Sequence, residues 1–142
     1  MKVRQVMTPE ARCVTTDTPL TEAARVMQEL NVGSLPVVGD DQLIGLITDR
    51  DIVVRAIALG RNPSTTKVHE AMSSGLLYIY EDQEAEEAAK LMEYHQIRRL
   101  PVLNRDRRLI GIVSLGDLAV GSETEVSGEV LREVSSPSSP VR

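Results

Sequence analysis

The chain has 142 residues, and at about 150 residues per domain that is the length of one domain, enough to bury a core without disulfides or metals. Its 42% hydrophobic and 26% charged fractions are those of ordinary globular proteins and exclude wholesale disorder, collagen and coiled coil. Three Tyr with no Phe and no Trp leave an aliphatic and Met-rich core and remove the aromatic platforms on which bases or sugars stack, and 16 bases against 21 acids, a net charge of −5, argue against duplex nucleic acid as a partner.

Most of the bases are Arg, and five of them, Arg98, Arg99, Arg105, Arg107 and Arg108, crowd one stretch with a single acid, Asp106. A planar guanidinium suits phosphate better than an ammonium does, although a solvated hairpin would also carry Arg105, Arg107 and Arg108. Cys13 is the one cysteine, so no internal disulfide and no thiolate cluster can form, as expected of a cytoplasmic protein. The apolar stretch around it predicts a small buried residue. His69 and His95 stand far apart and outside any HxxH frame, and no metal site is expected. Met1 to Met7 carries charge and no apolar run, and no segment approaches the eighteen apolar residues of a membrane span.

In chain order the first element is the short strand Cys13–Thr16. Thr18-Pro19 and Glu22 then open a helix with a hydroxyl cap, Pro at its first position and an acid in its first turn. Leu20, Ala23, Ala24, Met27 and Leu30 form its apolar stripe. The runs 35–38 and 43–47 flank Gly39-Asp40-Asp41-Gln42 as a hairpin, and a second helix runs from Asp49 to Leu59 and stops at Gly60. The order then recurs: strand 77–80, helix 83–95, strands 99–103 and 109–113, helix 115–120.

Self-comparison explains the recurrence. Sliding by 65 places Val3 on Val68, Met7 on Met72, Glu22-Ala23-Ala24 on Glu87-Ala88-Ala89, and Leu35-Pro36-Val37 on Leu100-Pro101-Val102. One extra hairpin residue changes the offset to 66, which places Leu43-Ile44-Gly45 on Leu109-Ile110-Gly111, Thr48 on Ser114 and Asp51 on Asp117. The expected fold is α/β (α+β): two β-α-β-β-α repeats, 1–63 and 64–120. Residues 121–142 form a C-terminal segment, acidic at first and then a flexible Ser/Pro tail, in which Val126, Val130, Leu131 and Val134 could make one marginal helix. A repeat of about sixty residues is marginal alone, so the two should pack together.

Each repeat's hairpin runs into a polar turn, Gly45-Leu46-Ile47-Thr48-Asp49-Arg50-Asp51 and Gly111-Ile112-Val113-Ser114-Leu115-Gly116-Asp117. A hydroxyl followed three residues later by a carboxylate is a capping box. The capped end also offers backbone amides and a positive dipole to a phosphate, and the Asp could accept both hydroxyls of a ribose.

These turns, the Leu-Pro-Val strands, the Val-x-x-x-Met starts and the doubling resemble a tandem pair of cystathionine-β-synthase (CBS) domains, a Bateman module, over residues 1 to about 120; the chain is similar to the two-repeat bacterial members of that family. The resemblance implies a disc with a pseudo-twofold axis and two clefts between the repeats, each able to hold AMP, ADP, ATP or S-adenosylmethionine as a regulatory ligand, with no cofactor required. It implies ribose binding by Asp51 and Asp117, with Thr48, Ser114 and Arg50 in the same turns, and adenine walls from Thr16 or Thr18 and from Val32. Glu81 and Gln83 occupy the positions that match the two Thr. Arg98 and Arg99 match the basic pair that grips phosphates in nucleotide-binding members. The first repeat has Gly33 and Ser34 there, so the stronger site is expected at Asp117. The resemblance further implies a homodimer built through helices; Ala88, Ala89 and Met92 would permit close approach, or else fill the chain's own core.

No nucleophile or acid–base pair is held in reach, so no enzyme is expected. The leading function is a regulatory sensor of adenosine nucleotide acting on an unidentified protein target. The alternative is a non-catalytic scaffold that works through its homodimer surface without nucleotide.

Overall fold

The computed structural model describes residues 1–73 and 75–121, with the side chain of residue 121 left aside; the expectations for the segment beyond fall outside the described residues. The chain divides into two units, one of residues 12–76 and one that joins residues 1–11 to the chain from Leu77 onward.

In the 12–76 unit, β2 (Val14–Thr15) runs parallel to β3 (Ser34–Gly39), which pairs antiparallel with β4 (Gln42–Thr48). Period-two alternation buries Leu43, Gly45 and Ile47 and leaves their neighbours partly open. The hairpin closes through Asp40 and Asp41, whose φ values of 52° and 63° are those of a two-residue type I′ loop, a conformation that short Asx side chains tolerate. Helix α2 (Leu20–Leu30) buries Leu20, Ala23 and Met27. Ala24, at the stripe's edge, and Leu30, in the last turn, are exposed, which narrows the expected face. Thr18 does not cap this helix: its hydroxyl accepts from the Thr15 amide at 3.0 Å, and Thr66 and Pro63 carbonyls accept from the first amides, those of Leu20 and Thr21, at 2.9 and 3.2 Å. Cys13 is exposed, contrary to expectation. The strand begins one residue later, and its alternation turns Val14 inward.

Helix α3 (Asp49–Ile52) continues as a π-turn over Val53–Ile57, with the Ala58 amide on the Val53 carbonyl at 2.8 Å. It ends at Gly60, whose φ of 75° is the left-handed value that glycine adopts without penalty. A 3₁₀ turn at Val68–Glu70 then sets Val68 and Ala71 into the core beside Leu20, Leu35, Val37 and Ile47.

In the other unit, helix α1 (Val3–Val6) leads into β1 (Thr8–Pro9), the first strand of a sheet ordered β1-β7-β6-β5, where β5 is Ile79–Tyr80, β6 Arg99–Leu103 and β7 Leu109–Ser114. Helix α4 (Ala85–His95) and helix α5 (Leu115–Gly121) complete it. Ala88, Ala89 and Met92 are buried in this unit's core with Val3, Leu100 and Val113. They fill their own interior, so they offer no stripe to a second copy.

The internal duplication is visible bond by bond. The amides of Val3 and Arg4 donate to the carbonyls of Gln83 and Glu81 at 2.9 and 3.0 Å, and those of Val68 and His69 to Thr18 and Thr16 at 2.9 and 3.0 Å. The segment that opens each sequence repeat therefore completes the unit built from the body of the other. Two glycines permit this. A Cβ on Gly111 would sit 2.7 Å from the Thr8 carbonyl oxygen, and one on Gly45 2.8 Å from that of Ser73.

Candidate functional site

Each hairpin delivers its hydroxyl to the start of a helix, and the two turns share one geometry. At the first, the Thr48 amide donates to Asp51 Oδ2 and the Asp51 amide to Thr48 Oγ1, both at 3.0 Å. At the second, the Ser114 amide donates to Asp117 Oδ2 at 2.9 Å and the Asp117 amide to Ser114 Oγ at 3.1 Å. These are reciprocal capping boxes, which satisfy two otherwise orphaned amides and place a carboxylate against a helix N-terminus.

The strands opposite carry the residues that differ. Arg99 pairs with Ser114 across the β6–β7 ladder, and the Arg98 carbonyl accepts from the Leu115 amide at 3.0 Å. The equivalents are Ser34 opposite Thr48 and the Gly33 carbonyl on the Asp49 amide at 2.9 Å. One turn thus has two adjacent arginines at the start of its flanking strand where the other has a glycine and a serine. Arg98 Nε is enclosed and has no hydrogen-bond partner among the described residues, a state that leaves a charged donor unsatisfied.

The surroundings of the carboxylates differ too. Asp51 is only 8% exposed. The Ser73 hydroxyl donates to it, 3.2 Å from Oδ1 and 3.3 Å from Oδ2, and Arg55 Nε stands 4.0 Å from Oδ1. Arg55 Nη1 also donates to the Met72 carbonyl at 3.1 Å. Asp117 is half-buried, and among the described residues its carboxylate accepts from the Ser114 backbone amide and from no side chain.

The remaining candidates belong to the 12–76 unit. Thr16 and Thr18 use their carbonyls on residues 69 and 68, and the Thr18 hydroxyl closes its own turn. Val32 packs half-buried against the core of the 12–76 unit, and Arg50 is exposed. The structure gathers Gly33, Thr48 and Asp51 at one turn, and Arg98, Arg99, Ser114 and Asp117 at the other. Ser73 and Arg55 were not anticipated, although Ser73 follows Met72 as Thr8 follows Met7, and that correspondence marks it.

Of the Arg-rich hairpin, Arg105 is held by Asp82, and Arg107 lies over the Tyr78 ring at 5.4 Å and donates to its hydroxyl at 3.4 Å. No group of three or more His, Cys, Asp or Glu among the described residues could hold a metal ion, and no helix there is long and apolar enough to cross a membrane. One surface is apolar: Val53, Ile57 and Leu59 on and after the π-turn are 55%, 52% and 65% exposed, where isolated helices of soluble proteins place polar groups.

The CBS domain model matches residues 3–57 and 68–121. Hypoxic response protein 1 of Mycobacterium tuberculosis is 39% identical over 117 residues, 82% of this chain and 81% of that protein. The crystal structure of Hypoxic Response Protein I with two coordinated zinc ions is similar at a TM-score of 0.77 and 37% identity, over 86% of this chain and 99% of that one. That of CBSX2 in complex with AMP is similar at a TM-score of 0.73 and 28% identity, over 84% of this chain and 94% of that one.

Proposed function

We propose, from the premise that this chain belongs to the CBS-domain family and carries two such domains in tandem, that it is a non-catalytic regulatory module that binds an adenosine 5′-phosphate at the turn of Asp117. Asp117 accepts the ribose hydroxyls, Ser114 and the amides beside it line the approach, and Arg98 and Arg99 hold the phosphate. The observation that carries this reading is that the Asp117 carboxylate keeps one oxygen without a hydrogen bond among the described residues, at the turn beside which the basic pair Arg98 and Arg99 stands. A ribose hydroxyl completes that oxygen, and the guanidiniums of the pair suit a phosphate. The AMP complex of CBSX2 supports the ligand class. Two guanidiniums favour a phosphate over S-adenosylmethionine, whose sulfonium is a cation.

The self-associating surface belongs to this reading as well. We assign it to Val53, Val54, Ile57 and Leu59, covered by a second copy, in place of the Ala88, Ala89 and Met92 stripe. A scaffold that works through this face without nucleotide is the second reading, and the same exposed residues favour it. Thermal denaturation with AMP separates the two. A ligand that binds only the folded state adds about 2.7 kcal/mol at a hundred times its dissociation constant, so the sensor melts several degrees higher in saturating AMP, ADP or ATP. An unchanged melting temperature leaves the scaffold.

A further inference from the structure

We propose that the chain closes its own first-repeat site, with Ser73 and Arg55 holding Asp51 as a ribose would, so that one chain takes one adenosine phosphate. The inference rests on the adenosine-nucleotide reading of Asp117 and says why its duplicate does not share it.

The two carboxylates descend from one repeated turn and have the same backbone geometry, so their difference lies in what reaches them. Asp51 already receives the contacts that a ribose would bring: the Ser73 hydroxyl spans both oxygens at 3.2 and 3.3 Å, and Oδ2 also takes the Thr48 amide. A ribose that displaced Ser73 would exchange one hydroxyl donor for another, with little net gain. It would also have to enter beside Arg55, which stands 4.0 Å from Oδ1 and is anchored on the Met72 carbonyl at 3.1 Å. A phosphate would then find Gly33 and Ser34 on the flanking strand, where the other turn has Arg98 and Arg99.

Among the described residues neither closing group is found at Asp117. Thr8 stands where Ser73 does in the duplication, but it is exposed, and among the described residues its hydroxyl makes no bond to Asp117. The sequence offset of 66 that aligns the two Asp places Gly121 at the position of Arg55. Among the described residues the lock therefore exists at one turn only, and the two residues that make it are specificity-determining: they set how many nucleotides bind.

Titration calorimetry with AMP on the full chain tests this. The wild type is expected to bind one AMP per chain, and Asp117→Asn to lose at least tenfold in affinity with no saturable site left behind. The double variant Ser73→Ala/Arg55→Gln, checked by circular dichroism for an unchanged fold, is expected to bind two, the added site discriminating less between adenosine and AMP because Gly33 and Ser34 stand where the other turn has Arg98 and Arg99. Two AMP per wild-type chain, or one full-strength site surviving in Asp117→Asn, overturns the lock and leaves the nucleotide reading standing. A folded double variant that still binds one overturns the roles of Ser73 and Arg55. No binding by the wild type overturns the nucleotide reading itself, and the lock with it.

Discussion

Arg105 grips Asp82 through two parallel hydrogen bonds, Nε at 2.9 Å and Nη2 at 2.8 Å, while its guanidinium lies 4.1 Å above the Tyr80 ring centroid. The fork geometry and the ring face together tie the hairpin of β6 and β7 to the loop after β5. The bonded guanidinium holds the Asp82 carboxyl below its ordinary value. Glu84 is likewise held low, first by its hydrogen bond to Lys2 and then by the terminal amine, at 2.9 and 3.1 Å. A depressed carboxyl contributes stability that is full above the unfolded carboxylate value, about 4, and is lost as pH falls through the lower folded value. Urea melts from pH 7 down to pH 3 should therefore show the wild type losing more stability than Asp82→Asn/Glu84→Gln. Parallel losses would mean that neither pair persists in solution.

Gly45 and Gly111 are places where the chain cannot carry a side chain. A Cβ on Gly111 meets Thr8 backbone at 2.7 Å and the Met7 sulfur at 2.9 Å, and one on Gly45 overlaps the Met72 methyl and meets Ser73 backbone. Flexible Met ends can move, but the two carbonyls belong to paired backbone. Gly45→Ala and Gly111→Ala should each cost about 1–3 kcal/mol, read as a lowered Tm. Gly75→Ala, which meets nothing within 4 Å, should leave the Tm nearly unchanged.

At the second turn, cap and ligand contacts separate by substitution. Asp117→Asn keeps a side-chain oxygen for the Ser114 amide and should cost the cap a few tenths of a kcal/mol. Two charge-assisted bonds to ribose, about 1.5–3 kcal/mol each, are weakened at the same time, so AMP affinity should fall at least tenfold. Arg99→Ala should weaken AMP and leave adenosine nearly untouched. Calorimetry with both ligands gives the comparison, and equal losses for AMP and adenosine in Arg99→Ala would remove the phosphate role.

The apolar face after α3 predicts a dimer. Light scattering at micromolar concentration should give twice the chain mass of 15.6 kDa, and Ile57→Glu should return it to one chain, because a carboxylate in an apolar contact goes unpaired. Ile57 is more than half exposed, so the substitution should leave the Tm of the monomer nearly unchanged.

The repeat made most of the fold legible. Once Val3 aligned with Val68 and Asp51 with Asp117, the strands, helices and both capping boxes followed from local chemistry, and the two adjacent Asp at 40 and 41 carried the hairpin. What stayed hidden depended on distant backbone. Cys13 is exposed because its strand starts at Val14, a boundary that an apolar run does not mark. Ala88, Ala89 and Met92 have the periodicity of a buried stripe, and periodicity does not say whether the chain's own sheet or a second copy covers it. Ser73 reaches Asp51 across 22 residues through a crossing of β4 that no local pattern encodes. The Arg98–Arg99 pair, by contrast, stood out as a departure between otherwise matching strands.

The exchange of opening segments has a consequence for the order in which the molecule is made. Residues 12–76 form one unit from a single continuous stretch, and that unit can assemble as soon as it is synthesised. The other unit needs residues 1–11 and elements that follow Leu77, so Val3 must wait with its apolar side chain uncovered until Ile79, Met92 and Val113 exist to receive it. Domains tend to fold as units in the order of synthesis, and contacts between distant positions form slowly. Residues 1–11, made before the 12–76 unit, are thus among the last to find their partners, and a refolding experiment should show protection of the Val3 and Arg4 amides trailing that of the Val37 amide.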